Sequence, residues 1–349
     1  GGARGNLVIL AMTTEATGNQ VTALRLARVA EGLGWRAWCL DVREVSGKGD
    51  LEKYLQRERV DGVLGVHAHR AGRLLVGSPV PYCILLGGTD ANVFVYDTRK
   101  RAVMSDAVKG SRTLISFGGG MLSRMQRHLD YAGPAVLMPQ SVAPPSTAAP
   151  GGAWAGGVPP GAAVFVLPCG LRDVKDPSYL VDAFRAWHAE DARVWLLVIG
   201  PILDNDCASR LFSAIGGGGG EQGAAHEGVA YHPPVPRDRL LALLCSSAAV
   251  LNSSLSEGMS NTLLEAMACG APVVARACPG NLELVRHRRT GLLYSSPSEC
   301  VALCKELRSD PRLSSALTDA AGVYVSMHHS QEKERSILKS ALEGLLDAH

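Results

Sequence analysis

The chain has 349 residues, 46% apolar and 19% charged, with a formal net charge of +2. That composition is globular and long enough for two cores, which excludes a disordered chain. So small a net charge offers no field to recruit nucleic acid or an anionic membrane, so neither is expected as a partner.

Nine cysteines at irregular spacing form neither a disulfide framework nor a zinc pattern. Reduced thiols are expected. No apolar run reaches the ~18 residues of a transmembrane helix. The chain opens Gly1-Gly2-Ala3-Arg4-Gly5, with neither methionine nor the layout of a signal peptide. A cytoplasmic location is the expectation, with the N-terminus read as incomplete.

Residues 6–12 form a continuous apolar run read as a buried strand, and 13–19 a loop. Val21, Leu24, Ala27, Val29 and Ala30 mark one side of the helix that follows. Gly18 stands where that helix starts, and its backbone either faces a phosphate or simply turns. Strands follow over residues 36–42, 62–67, 81–86, 112–117 and 135–138, with helices over 50–59, 68–76, 101–109 and 121–129. Such alternation predicts a parallel sheet covered on both faces, with ligands at the carboxyl ends of its strands. The polar groups at those ends are His67, His69, Gly87-Gly88-Thr89-Asp90-Ala91-Asn92 and Gly118-Gly119-Gly120. The triple glycine lacks the dinucleotide spacing and reads as a tight strand-to-helix turn. The segment around Gly88 and Asp90 offers a hydroxyl and a carboxylate, suited either to sugar hydroxyls or to an Asx-type turn. A lone histidine such as His67 is more often structural than functional.

Residues 141–160 carry Pro144-Pro145, Pro150-Gly151-Gly152, Gly156-Gly157 and Pro159-Pro160, the marks of a linker. The expected division is a first domain at 1–143, a linker at 144–161, a second domain at 162–329 and a last helix in 330–349. The second domain opens with a strand over 163–167, then a loop over 169–177 that bears Arg172 and Lys175. At the carboxyl edge of a sheet these two could neutralise a diphosphate; otherwise they are a solvated basic loop. Leu180, Val181, Phe184 and Trp187 define an amphipathic helix, and 193–200 another strand. Asp204-Asn205-Asp206 superficially matches an Asp-x-Asp metal motif, but it has no nearby histidine or carboxylate partner and reads as a turn. Residues 216–220 are a low-complexity loop, and Tyr231-His232-Pro233-Pro234-Val235 follows a short strand.

After a helix over 239–245 comes the most informative stretch. A strand over 248–251 leads to the loop Glu257-Gly258-Met259-Ser260-Asn261, a helix over 262–268 stopped by Gly270, and a strand over 272–275. Small residues let a ligand approach the backbone, and the N–H groups at the positive end of the helix favour an anion such as phosphate. Glu257 and Glu265 flank that cradle, and carboxylates suit sugar hydroxyls. The combination points to a nucleotide-sugar site. The local alternative is a capping box, Thr262-Leu263-Leu264-Glu265. A helix over 281–286, a strand over 291–294 and amphipathic helices over 298–307, 311–327 and 331–346 complete the chain.

The Glu-x7-Glu spacing of Glu257 and Glu265, the Glu265-Ala266-Met267-Ala268-Cys269-Gly270-Ala271-Pro272-Val273-Val274 run and the segment from Gly280 to Gly291-Leu292 together resemble the retaining nucleotide-sugar glycosyltransferases of family 4. The resemblance is specific over residues 160–300 and looser over 6–142. It implies an α/β GT-B fold, two Rossmann-like doubly wound domains facing across a cleft, with the last helix packing back on the first domain. It implies a glycosyltransferase moving a sugar from a nucleotide-diphosphate donor to an unidentified acceptor, with retention. On that resemblance Arg172, Lys175 and Glu257 are the catalytic set. Gly18, Gly258, Met259, Ser260, Asn261, Thr262 and Glu265 hold the donor, Glu265 by its ribose, with Tyr231 or Val235 to pack on its base, and His67, Gly88 and Asp90 lie on the acceptor side. Arg172 and Lys175 are three apart where five is common in the family. Neither a metal nor a cofactor is implied, since the nucleotide sugar is a co-substrate. The alternatives are a non-catalytic nucleotide-sugar binder of the same fold and a GT-B epimerase or phosphorylase. A nicotinamide dehydrogenase is disfavoured by the missing fingerprint.

Overall fold

The computed structural model describes residues 4–13, 18–142, 157–216 and 224–346. The chain divides into two compact units, Gly1–Ser141 with His329–His349, and Val142–His328.

In the first unit the strands are β1 (Asn6–Ala11), β2 (Arg36–Asp41), β3 (Gly62–Val66), β4 (Tyr82–Leu85), β5 (Leu114–Ser116) and β6 (Ala135–Leu137). They form a parallel sheet in the order β2-β1-β3-β4-β5-β6. The middle strands are apolar along their whole length because helices cover both faces. Side chains alternate between the faces. Val8, Leu10, Val63 and Ile84 point to one core, which also takes Leu51 and Leu55, Met104 and Val108, and Met121 and Met125 from three helices. Leu7, Ile9, Leu64 and Leu85 point to the other, with Ala23 and Leu26 of the helix Gly18–Gly32. The helix Gln331–Leu346 completes that second core with Leu338, Leu342 and Leu345.

One buried charge anchors that helix. Glu334, fully buried, takes Arg25 Nη2 at 3.0 Å and accepts from the Ser141 amide at 3.1 Å and Ser141 Oγ at 2.5 Å. Nearby, His329 Nδ1 lies 3.0 Å from the carbonyl of Gln140. Both points at which the chain leaves this unit are thus tied down within it. The proline- and glycine-rich linker read from the sequence falls largely on residues 143–156, outside the described residues.

Two local readings change in this unit. β3 stops at Val66, and His67 adopts a left-handed φ of +76° to open a π-helical turn, His67–Ala71, that runs into Gly72–Leu75. Residues 88–92, read as a turn, form a short helix, Gly88–Asn92, in which the Asp90 carboxylate accepts from the Gly87 amide at 3.0 Å.

The second unit contains β7 (Ala163–Pro168), β8 (Val194–Ile199), β9 (Ala224–His226), β10 (Val229–His232), β11 (Ala249–Asn252), β12 (Val273–Arg276) and β13 (Leu292–Tyr294). Their order is β13-β12-β11-β7-β8-β10-β9, parallel throughout except for the β9–β10 pair at one edge. That antiparallel edge strand has no counterpart in the sequence reading, because Ala224-Ala225-His226 is too short and too plain to register as a strand. Asp204 is a helix cap rather than part of a turn: its carboxylate accepts from the Cys207 amide at 2.9 Å and starts the helix Asn205–Ile215. Tyr231 is also core rather than a base platform, 1% exposed with its hydroxyl donated to the Gly200 carbonyl at 2.9 Å.

Glu334→Ala should cost about 3–5 kcal/mol in the urea transition of the first unit, the range for breaking a buried ion pair on one side. A loss under about 1 kcal/mol, the range of surface pairs, would show that Glu334 holds nothing.

Candidate functional site

The carboxyl ends of β7, β11 and β12 bring the second unit's polar residues to one place. β7 leads into a short 3₁₀ turn, Asp173–Lys175, which Asp176 closes in the left-handed region at φ +44°. β11 leads into the loop carrying Glu257, and β12 into the helix Pro279–Leu284. Backbone bonds lash the first two loops together. The Leu255 amide donates to the Val174 carbonyl at 2.9 Å, and Ser253 Oγ to the Lys175 carbonyl at 2.8 Å.

Glu257 is 9% exposed. Its Oε1 accepts from Lys175 Nζ at 2.5 Å, Ser254 Oγ at 2.7 Å and Asn252 Nδ2 at 3.0 Å. Burial alone would push this carboxyl upward, but the Lys175 charge and the three donors outweigh burial and hold it below the ordinary glutamate value. Asn252 is fixed in turn, with Oδ1 accepting from the Ser254 amide at 3.1 Å and from Asn281 Nδ2 at 2.9 Å. The Asn281 side chain, fully buried, also donates to the Arg276 carbonyl at 2.9 Å. Arg276 crosses the group: its Nη1 reaches Asp176 at 2.8 Å and the Ser253 carbonyl at 3.2 Å, and its guanidinium lies 3.8 Å over the Tyr179 ring. Gly280 is required by contact. A Cβ there would come within 2.5 Å of the Glu257 carbonyl oxygen and 2.7 Å of the Gly258 oxygen.

Past Gly258 and Met259, Ser260 caps the helix Asn261–Ala268 by accepting from the Leu263 amide at 3.3 Å. The helix therefore starts one residue earlier than read from the sequence, and Thr262 lies inside it. That removes Thr262 as the cap of a box with Glu265. The Glu265 side chain, 11% exposed, instead receives Arg237 Nη2 at 2.6 Å. The amides of the first turn sit at the positive end of the helix, next to Lys175 and Glu257 through the shared loop. Arg172 lies extended and exposed just before the 3₁₀ turn, and makes no ion pair among the described residues.

The structure thus joins Lys175, Glu257 and the 258–262 loop directly, with Arg172 at the edge and Glu265 a turn further on. Asn252, Ser254, Asn281, Arg276 and Arg237 escaped the sequence reading. The available signal was a polar or charged residue ending an otherwise apolar strand, as Asn252 ends β11 and Arg276 ends β12.

Gly18, His67, Gly88 and Asp90 belong to the first unit. Asp90, which the sequence offered either to sugar hydroxyls or to an Asx-type turn, is fully buried. It accepts from the Ala68 amide at 2.7 Å and the His69 amide at 3.2 Å, and lies 3.3 Å from His67 Nδ1. Burial raises its carboxyl, but the His67 ring and the Gly87 and Ala68 amides outweigh burial and hold it below the usual carboxylate range. The other ring nitrogen of His67 is 3.2 Å from Oδ1 of Asn19, the residue after Gly18. Gly87 makes room for that ring, because a Cβ there would fall 1.9 Å from it. Asp90 is therefore equipped to hold His67, whose ring is itself buried.

Among the described residues no group of three or more His, Cys, Asp or Glu is placed to hold a metal ion, and no helix is long and apolar enough to cross a membrane.

The profile of the family described as Glycosyl transferases group 1 matches residues 162–310. Glycosyltransferase 1 domain-containing protein 1 of Xenopus tropicalis is 32% identical over 346 residues, 97% of this chain and 98% of the relative. D-inositol 3-phosphate glycosyltransferase of Arthrobacter sp. (strain FB24) is 28% identical over 55% of this chain, which spans 46% of that relative. Among solved structures, sucrose-phosphate synthase from Thermosynechococcus elongatus superposes with a TM-score of 0.77 at 14% identity, covering 98% of this chain and 99% of that one. Anabaena HepE in complex with UDP-glucose gives 0.76 at 13% identity, covering 97% and 100%. The fold is GT-B.

Because Glu257 ionises more readily in the folded protein, its charge adds stability above the ordinary value of 4.5 that disappears as pH falls through its lower folded value. Glu257→Gln should be the less stable protein in urea at pH 7, and the gap should close as pH drops below 4.5. A gap independent of pH would mean that the Lys175 pair contributes nothing.

Proposed function

The chain belongs to the Glycosyl transferases group 1 family and is a glycosyltransferase, and from that premise we propose that it moves a sugar from a nucleotide diphosphate donor to an acceptor with retention at the anomeric carbon. One observation carries this reading: the Lys175–Glu257 pair at 2.5 Å sits one loop ahead of a helix whose amino end can receive an anion.

In this reading the diphosphate lies over the amides of residues 258–262, with Lys175 and the exposed guanidinium of Arg172 as its cations. The bond from the anomeric carbon to the diphosphate oxygen breaks, and a bond to the acceptor forms on the same face of the sugar. The acceptor's proton passes to the departing phosphate oxygen, so no side chain has to act as nucleophile. Negative charge grows on the leaving group as the bond breaks, and that is where preorganised donors and cations lower the barrier most. Glu257, neutralised by Lys175, presents its carboxylate to the sugar hydroxyls, and Glu265 accepts from the ribose. Charge compensation by Arg172 and Lys175 makes the reaction independent of a metal. His67, steadied by Asp90 and with Gly88 beside it, serves the acceptor side. Gly18 belongs to the donor side, as its position at a helix start supports.

HepE was solved with UDP-glucose, which makes uridine diphosphate sugars the first donors to assay. Incubation with a panel of nucleotide sugars should show slow hydrolysis of one donor. Binding without turnover would favour a nucleotide-sugar binder instead. With the preferred donor, Arg172→Ala should slow turnover by about 10²-fold or more, as when one donor to a developing oxyanion is removed. Unchanged turnover would take the diphosphate away from Arg172.

A further inference from the structure

Glu265 does not stand alone beside the helix start. Its carboxylate is 11% exposed, and Arg237 Nη2, on a side chain 49% exposed, meets Oε1 at 2.6 Å. Arg237 is the first residue of the helix Arg237–Cys245, whose cap is Pro236 without a side-chain bond. A cation there faces the positive end of its own helix, where it is locally unfavourable. Nor is the pair needed to join the two helices. Leu243 and Leu244 already pack in one core with Leu263, Leu264 and Met267. The ion pair therefore has an energetic cost at one end and little packing purpose at the other.

Its effect falls on Glu265. A mostly covered carboxylate carries a desolvation cost, and its charge would repel a diphosphate arriving at the neighbouring amides. A guanidinium 2.6 Å away offsets both. We propose that Arg237 is the positioning residue of the ribose subsite, setting the Glu265 carboxylate to receive the ribose hydroxyls and so conferring preference for ribo- over deoxyribonucleotide donors. This rests on the donor reading given above. Arg237 makes no contact with the reacting atoms in this account; it acts through Glu265.

Calorimetric titration of the full chain with UDP, GDP and ADP, each beside its 2′-deoxy counterpart, tests it. The wild-type protein should prefer the best ribonucleotide by about tenfold or more, the discrimination expected when a hydroxyl bonded to a charged group is removed. Arg237→Ala should shrink that preference to within about threefold while leaving the deoxynucleotide affinity nearly unchanged, and Arg237→Lys should recover it only in part. Glu265→Gln should likewise erase the preference, and the double variant should lose no more than Glu265→Gln alone, since the two act as one unit. Far-UV circular dichroism melts verify that each variant is folded. If Glu265→Gln erases the preference and Arg237→Ala leaves it intact, the positioning role is overturned and the donor site stands. If Arg237→Ala weakens ribo- and deoxynucleotides equally, Arg237 compensates the diphosphate charge and positions nothing. If the wild-type protein binds no nucleoside diphosphate, the donor reading falls and the inference with it.

Discussion

A carboxylate taken out of water has to be paid for by partners, and Glu257 takes three of them on a single oxygen. Each comes from a different place: Lys175 after β7, Asn252 at the end of β11, Ser254 in the loop beyond it. Satisfying that one charge therefore fixes the spacing of the loops that follow two neighbouring strands. Asn281 extends the hold to the segment after β12, because its amide donates both to Asn252 and to the Arg276 carbonyl. Parallel topology delivers these loops to one edge of the sheet. The buried charge then decides which of their side chains meet.

The first unit solves a similar problem with other residues. Asp90 is buried behind His67, takes three backbone amides, and leaves the imidazole in a left-handed corner that only the absence of a side chain at Gly87 permits. In both units a carboxylate at the carboxyl edge of a parallel sheet organises a basic side chain. In the second unit that side chain is Lys175, in the first His67. A backbone held at positive φ in a non-glycine residue persists only where its surroundings over-determine it, and His67 meets that condition.

Much of this arrangement was legible in the linear chain, for physical reasons. The parallel strands are largely apolar because they are covered on two faces, so their approximate limits could be read, whereas the antiparallel edge strand β9 could not. Glu257, Glu265 and the small residues around Ser260 could be read because their spacing is set by one loop and one helix. What could not be read depends on tertiary partners. The Thr262-to-Glu265 spacing matches a capping box, yet Ser260, three residues before Leu263, is the residue that caps. Asp90 looks like a loop carboxylate until His67 and three backbone amides close around it. Arg237 lies 28 positions from Glu265, and no local pattern couples them. Asn252 and Asn281 are ordinary in sequence and decisive only because their side chains meet in the interior.

The central claim is that a nucleoside diphosphate rests on the amino end of the helix Asn261–Ala268, next to the Lys175–Glu257 pair. A crystal structure of the protein with bound UDP tests this directly. The account predicts phosphate density within hydrogen-bond distance of the amides of residues 258–262 and of Lys175 Nζ, with the ribose hydroxyls against Glu265. Clear density for the nucleotide anywhere else, with that helix end in contact only with water, would contradict it.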